Sequence, residues 1–152
     1  MIRRAGVKDT DRIIELLEHF ANAAPVDFYH NPRYNKRYVM NQLGDIHHRG
    51  VILVGEIDGE IEGMIIAKIC ADPWMPQIKI MREMAWWVEP SHRMSTLGYR
   101  LLKEYQSICS DLKDRNVITA FTITTLTDSP INDMQRFGWR PIEQNYMYEE
   151  VA

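Results

Sequence analysis

Between Val88 and Gly98 the chain reads Val88-Glu89-Pro90-Ser91-His92-Arg93-Met94-Ser95-Thr96-Leu97-Gly98: a strand end, a proline, a polar turn and the start of a helix. A turn of this kind aims several free backbone N–H groups at one point, and the helix dipole adds partial positive charge there. The result is an anion site suited to a pyrophosphate. Arg93 adds a full charge, and Gly98, lacking a Cβ, lets a ligand approach the backbone closely. Taken alone, the same pattern also describes a capped helix after a β-turn, so the surrounding elements have to decide.

Other residue groups invite chemistry less strongly. Phe28, Tyr29, Arg33, Lys36, Arg37 and Tyr38 interleave basic and aromatic side chains, a mixture that suits a nucleobase or an anionic acceptor but also describes a solvated loop. His47 and His48 are neighbours and point apart on a helix, whereas ligand pairs sit three or four residues apart, so no metal is expected. Cys70 and Cys109 are the only cysteines and both lie in apolar stretches, which fits neither a disulfide framework nor a metal site. A reducing, cytoplasmic setting follows as the default.

The elements that must hold these groups are legible. The 152 residues, 45% apolar and 26% charged, describe one globular domain spanning 1–152. Eighteen basic and 21 acidic residues leave a net charge of -3, so nucleic-acid binding is open through a local patch but not favoured. No apolar run is long enough for a membrane span, and no signal peptide is expected. Ile13, Ile14, Leu16, Leu17 and Phe20 recur at helical spacing until Pro25, and Val39, Leu43 and Ile46 mark a second helix ending near Gly50. Strands follow over 51–57 and 61–70, joined by an Asp58-Gly59 hairpin turn, and over 77–88. The even positions of that last strand carry most of its apolar residues. Leu97, Leu101, Tyr105, Ile108 and Leu112 form one stripe of a long helix. A strand over 117–124, a short helix over 130–137 and extended pieces around Trp139 and Tyr146 to Tyr148 complete the order, an α+β arrangement on a largely antiparallel sheet.

In this order and spacing the chain resembles the GNAT superfamily of acyl-CoA-dependent N-acyltransferases. The resemblance rests on Val88-Glu89-Pro90 leading into Arg93 to Gly98 and a long helix. The 55–63 hairpin and the closing Arg136-Phe137-Gly138-Trp139 with Glu143 and Tyr146 support it. It implies a mixed, largely antiparallel twisted sheet flanked by about four helices, with a splayed and bulged central strand. It also implies acetyl-CoA as co-substrate, bound by Trp87, Val88, Arg93, Met94, Ser95, Thr96, Leu97 and Gly98. The bulge maps to Ala85 through Val88, where a backbone N–H would polarise the thioester. Glu83 is the candidate base, on the face opposite Met84 and Trp86 if the strand is regular to that point, and Trp87 rather than Trp86 is assigned to the cleft.

Two departures from the family pattern stand out. Thr96 replaces the first glycine of the loop, and Met134 stands where many members carry a tyrosine that protonates the thiolate. Tyr146 is the candidate substitute. Phe28, Tyr29 and Arg33 lie where the family forms its acceptor cleft. The resemblance therefore implies acetyl transfer to a small-molecule or protein amine, without a metal and with a homodimer expected. A CoA-binding module without turnover, and a modifier of nucleic acid or protein amines, stay open as alternatives.

Overall fold

The structure, a computed structural model, describes residues 1–131 and 133–150. Its strands are β1 (Ile2–Arg4), β2 (Gly50–Ile57), β3 (Glu60–Ala71), β4 (Lys79–Val88) and β5 (Ala120–Thr122). Its helices are α1 (Thr10–Ala23), α2 (Lys36–Arg49) and α3 (Leu97–Asp114). The sheet order is β1-β2-β3-β4-β5, antiparallel throughout except for the β4·β5 pair. Among the described residues three α-helices flank it, where about four were expected: the expected 130–137 helix, of which Asn132 lies outside the described residues, shows a 3-10 turn over Gln135–Phe137, closed by Gly138 in the left-handed region at φ 89°. Residues 139–150 form no strand, so the expected terminal strands around Trp139 and Tyr146 are absent among the described residues.

Local chemistry accounts for the boundaries. Asn35 caps α2 by accepting the Tyr38 N–H at 3.1 Å. Asp58 and Gly59 both take positive φ (52° and 84°), the requirement of the tight hairpin turn that the Asp-Gly pair announces. Asp9 precedes α1 but does not cap it. Its buried carboxylate instead accepts from Arg3 at 2.7 and 3.0 Å and from the Gly6 N–H at 2.7 Å. The Arg3 guanidinium, which also reaches Glu56 at 2.6 Å, pulls Asp9 down to about 2 and ties β1, β2 and the α1 start together.

Two apolar layers cover the sheet. One packs Ile13 and Leu16 of α1 and Leu43 and Ile46 of α2 on Val54, Met64, Ile66, Ala85 and Trp87. The other packs Leu97, Leu101, Tyr105 and Cys109 of α3 on Leu53, Ile65, Ala67 and Met81. The first residue of α3 is seated by a pair of glycines. Gly55 and Gly63 stand opposite each other in the β2·β3 ladder, and a Cβ on either would press Leu97, at 2.6 Å from Gly55 and 3.2 Å from Gly63. The missing side chains leave a dent that fixes the α3 N-terminus against the sheet. Gly55→Val should therefore lower stability by about 1–3 kcal/mol, the usual cost of overpacking. Urea unfolding checks this, and a neutral variant would contradict the seating.

Candidate active site

Strand β4 pairs with β3 along its whole length but with β5 only at Ile80, Met81 and Arg82. Its register against β3 slips between Ala85 and Glu83, so Met84 is the extra residue of a bulge. A bulge bends the strand and reverses its side-chain parity beyond it. Past Arg82 the edge of β4 that faced β5 has no strand partner among the described residues. The N–H of Thr124, just beyond β5, is taken by the Glu83 carboxylate at 3.0 Å. Glu83 thus sits in the crotch where the two strands part.

The bulge corrects four expectations. It lies at Met84, not within Ala85 through Val88. Glu83 pairs across the ladder with Ala67 and Trp86 with Ile65, both in the α3-side layer, so Glu83 shares a face with Trp86 and does not oppose it. The even-position pattern also fails: upstream of the bulge the odd-numbered Met81 is fully buried, and at the bulge Met84 is exposed. Met84, Trp86 and Trp87 all line the resulting cleft, whereas only Trp87 was assigned to it.

The cleft has a volume of about 770 Å³, within the usual range for ligand sites. Phe20 and Ala23 reach it from α1, and Glu83, Trp86 and Val88 reach it from the α3 face. The cleft beside the β4 edge is therefore lined from both faces of the sheet. The polar turn borders it with Arg93, Met94, Ser95 and Gly98. The first i to i-4 bond of α3 runs from the Arg100 N–H to the Thr96 carbonyl at 2.9 Å, so the N–H groups of Gly98 and Tyr99 precede it and face out of the helix end. Ser95 Oγ accepts the Leu97 N–H at 3.2 Å. A Cβ on Gly98 would meet only ordinary contacts, Val88 Cγ2 at 3.5 Å and Ile131 Cδ1 at 3.7 Å, so this glycine is not required by packing. Thr96 is exposed and Leu97 buried in the core, which leaves the latter only its backbone to offer a ligand. These residues fit an anionic, extended ligand: N–H groups and Arg93 at one end, and an open strand edge with apolar walls along the rest.

Charge within the cleft is uneven. Burial pushes Glu83 up to about 7, only partly offset by the Thr124 N–H. Among the described residues it forms no ion pair. Asp128 and Asp133 add carboxylates on the β5 side, and Arg136 adds a second cation. Neither cysteine lines the cleft. Cys109 is buried and its thiol pushed up to about 12, and Cys70 is half-buried on β3.

Other residues singled out from the sequence lie elsewhere. Tyr146 is 83% exposed, bonds Gln144 at 2.6 Å and is not part of the cleft wall. Phe28 and Tyr29 pack on each other, ring centroids 4.5 Å apart, in a turn after α1, and with Arg33 they are exposed and outside the cleft. Sequence reasoning missed Phe20, read as purely core, and Tyr99, whose ring lies 5.3 Å from that of Phe137. No helix of the described residues is long and apolar enough to cross a membrane, and among them no group of three His, Cys, Asp or Glu is placed to hold a metal.

No protein-family model and no curated protein sequence matches the chain. Solved structures do. An acetyltransferase of Trypanosoma brucei matches with a TM-score of 0.69 and 18% identity over 99% of each chain. A predicted acetyltransferase of Clostridium acetobutylicum, with acetyl-CoA, matches with a TM-score of 0.71 and 14% identity, over 98% of this chain and 95% of the other. An aminoglycoside 6'-N-acetyltransferase of Acinetobacter haemolyticus matches with a TM-score of 0.67 and 13% identity, over 100% of this chain and 99% of the other. The chain has the GNAT acetyltransferase fold.

The placement of Glu83 has a thermodynamic signature. A carboxyl raised from 4.5 to about 7 favours the fold while neutral, and that stability is lost as pH rises between the two values. Glu83→Gln, always neutral, should match the wild type in stability below pH 4.5. It should become progressively the more stable protein as pH rises from 4.5 to about 7, with the gap constant above. Urea unfolding at pH 4, 6 and 8 checks this, and a pH-independent difference would contradict the burial of the charge.

Proposed function

We propose that the chain is an acetyl-CoA-dependent N-acetyltransferase that moves an acetyl group to a primary amine by direct attack within a ternary complex. The observation that carries the reading is the gap between β4 and β5, lined from both faces of the sheet, with the Glu83 carboxyl at its crotch. Donor and acceptor can then meet from opposite sides without an acyl-enzyme. Trp87 and Val88 with the turn from Arg93 to Gly98 hold the donor, its phosphates on the turn and its thioester along the unpaired strand edge. A backbone N–H near Trp87 or Val88 meets the negative charge that develops on the thioester oxygen.

Glu83 takes the proton from the ammonium of the acceptor, directly or through water, and its value of about 7 suits a base at neutral pH. Asp128 and Asp133 favour a cationic acceptor, a small-molecule or protein amine, and the similarity to an aminoglycoside acetyltransferase fits a small polyamine. The raised thiol of Cys109 and the position of Cys70 argue against a thiolate nucleophile. Met134 has no proton to give and Tyr146 lies outside the cleft, so the thiolate leaves into the open cleft and is protonated from solvent.

The test is CoA release, followed by thiol detection, from acetyl-CoA and a panel of primary amines. Wild-type turnover should rise with pH through about 7 as Glu83 ionises. Glu83→Gln should lower turnover about 100-fold at neutral pH, within the usual range for a general base. The loss should shrink at high pH, where free amine is abundant. Turnover of Glu83→Gln equal to the wild type at pH 7 would remove Glu83 from the reaction. CoA binding with no turnover on any amine would favour the non-catalytic module.

A further inference from the structure

The end of β4 carries a second buried carboxylate that the transfer chemistry does not use. Glu89 precedes Pro90, and its backbone N–H is tied to the Glu62 carbonyl on β3 at 2.8 Å. Its Oε1 lies 2.6 Å from His19 Nδ1 and 3.4 Å from Arg12 Nη2, both on α1. A carboxylate only accepts, so the histidine donates from Nδ1. Its Oε2 accepts the Trp87 indole N–H at 3.3 Å. The same indole is packed edge-on by Phe20, ring centroids 6.1 Å apart, and lines the cleft. The Arg93 guanidinium lies over its ring, 4.4 Å from the centroid, while Arg93 Nε donates to the Val88 carbonyl at 3.1 Å.

We propose that Glu89 is a positioning residue: by holding the Trp87 indole through its N–H, it fixes the platform on which Arg93 lies and so sets where that cation meets an anionic ligand. Three physical points carry this. The hydrogen bond to the ring N–H adds a directional anchor to an indole otherwise held by apolar packing. An anionic acceptor on the N–H makes the ring more electron-rich, which strengthens its attraction for a cation on its face. With Nε bonded to Val88 and the guanidinium carbon over the ring, the two Nη groups of Arg93, which have no hydrogen-bond partner among the described residues, are left for the ligand, and its ordering is done before binding. His19 and Arg12 hold the carboxylate itself from behind.

The inference rests on the assignment of the Arg93 to Gly98 turn to CoA, so the test has one arm with ligand and one without. In nitrogen-15 spectra the indole signal missing from Trp87→Phe identifies Trp87. It should exchange slowly in the wild type and in Glu89→Gln, whose amide oxygen still accepts, and at least about tenfold faster in Glu89→Ala. In calorimetry, Glu89→Ala and Trp87→Phe should each weaken CoA about three- to fivefold, the scale of an exposed cation–π contact, with the double variant no weaker than the worse single one. Pantetheine, which lacks the pyrophosphate, should bind Glu89→Ala as tightly as it binds the wild type. Multiplying effects in the double variant, an equal loss for pantetheine, or unchanged CoA binding by Glu89→Ala would overturn the proposal. If the wild type bound no CoA, the assignment of the turn would fall. The indole exchange would then decide the positioning claim alone, and unchanged exchange in Glu89→Ala would overturn it.

Discussion

One extra residue in β4 governs the site. With Met84 inserted opposite the Ile66–Ala67 step, the strand bends, its parity reverses, and its pairing with β5 stops at Arg82. Everything in the cleft follows from that interruption. The backbone from Glu83 to Val88 keeps one unpaired edge, Trp86 and Trp87 frame the gap from opposite faces, and Glu83 is left at the crotch with the Thr124 N–H for company. A regular strand would have continued the β5 ladder, closed the gap and given the edge groups to the sheet. Bulges next to functional sites commonly serve to end pairing and re-aim a side chain, and this one does both.

The second constraint is the placement of α3. A helix N-terminus can act on an anion only if it is held at the right place, and here that place is set by the absence of side chains. Gly55 and Gly63 let Leu97 sink onto the sheet, Leu101 and Tyr105 continue the same buried stripe, and the turn from Pro90 to Thr96 has to bridge from the end of β4 to that seat. The bulge opens the strand edge and the glycine dent aims the helix at one end of it. Glu89, at the junction between the two, is buried with its acceptors occupied from α1 and from Trp87. It is therefore placed to hold the geometry of both parts.

The legible part of the fold was the part set by local pattern. The helical spacing of Ile13, Leu16 and Phe20, the Asp58-Gly59 turn and the stripe from Leu97 to Leu112 each have a period or a turn rule behind them, and all three appear where the sequence places them. The turn after Val88 was legible for the same reason. The bulge was not legible in position, because nothing in Arg82-Glu83-Met84-Ala85 distinguishes a two-residue step from a three-residue one; its register is decided across the sheet by β3. That single ambiguity put Glu83 on the wrong face and left Trp86 out of the cleft. The end of the chain was overread. The described residues of the Pro130 to Phe137 stretch form a 3-10 turn at Gln135–Phe137, and Tyr146 and Tyr148, with strand-like side chains, stand exposed without a ladder. Contacts made by single side chains across distant elements, such as Trp87 with Glu89 and Glu89 with His19, have no periodicity and leave no trace in the sequence.

An acyl-CoA bound at the unpaired edge of β4 and the turn that follows it would cover backbone N–H groups there. Amide hydrogen exchange, followed by mass spectrometry with and without saturating acetyl-CoA, tests this residue by residue, because edge N–H groups that gain an acceptor are protected. Protection confined to the β4 segment beyond Met84 and to the turn and first residues of α3, with β1, β2 and α2 unchanged, is the predicted result. Protection spread evenly over the molecule, or confined to the loop after α1 with the β4 edge unaffected, would contradict the account.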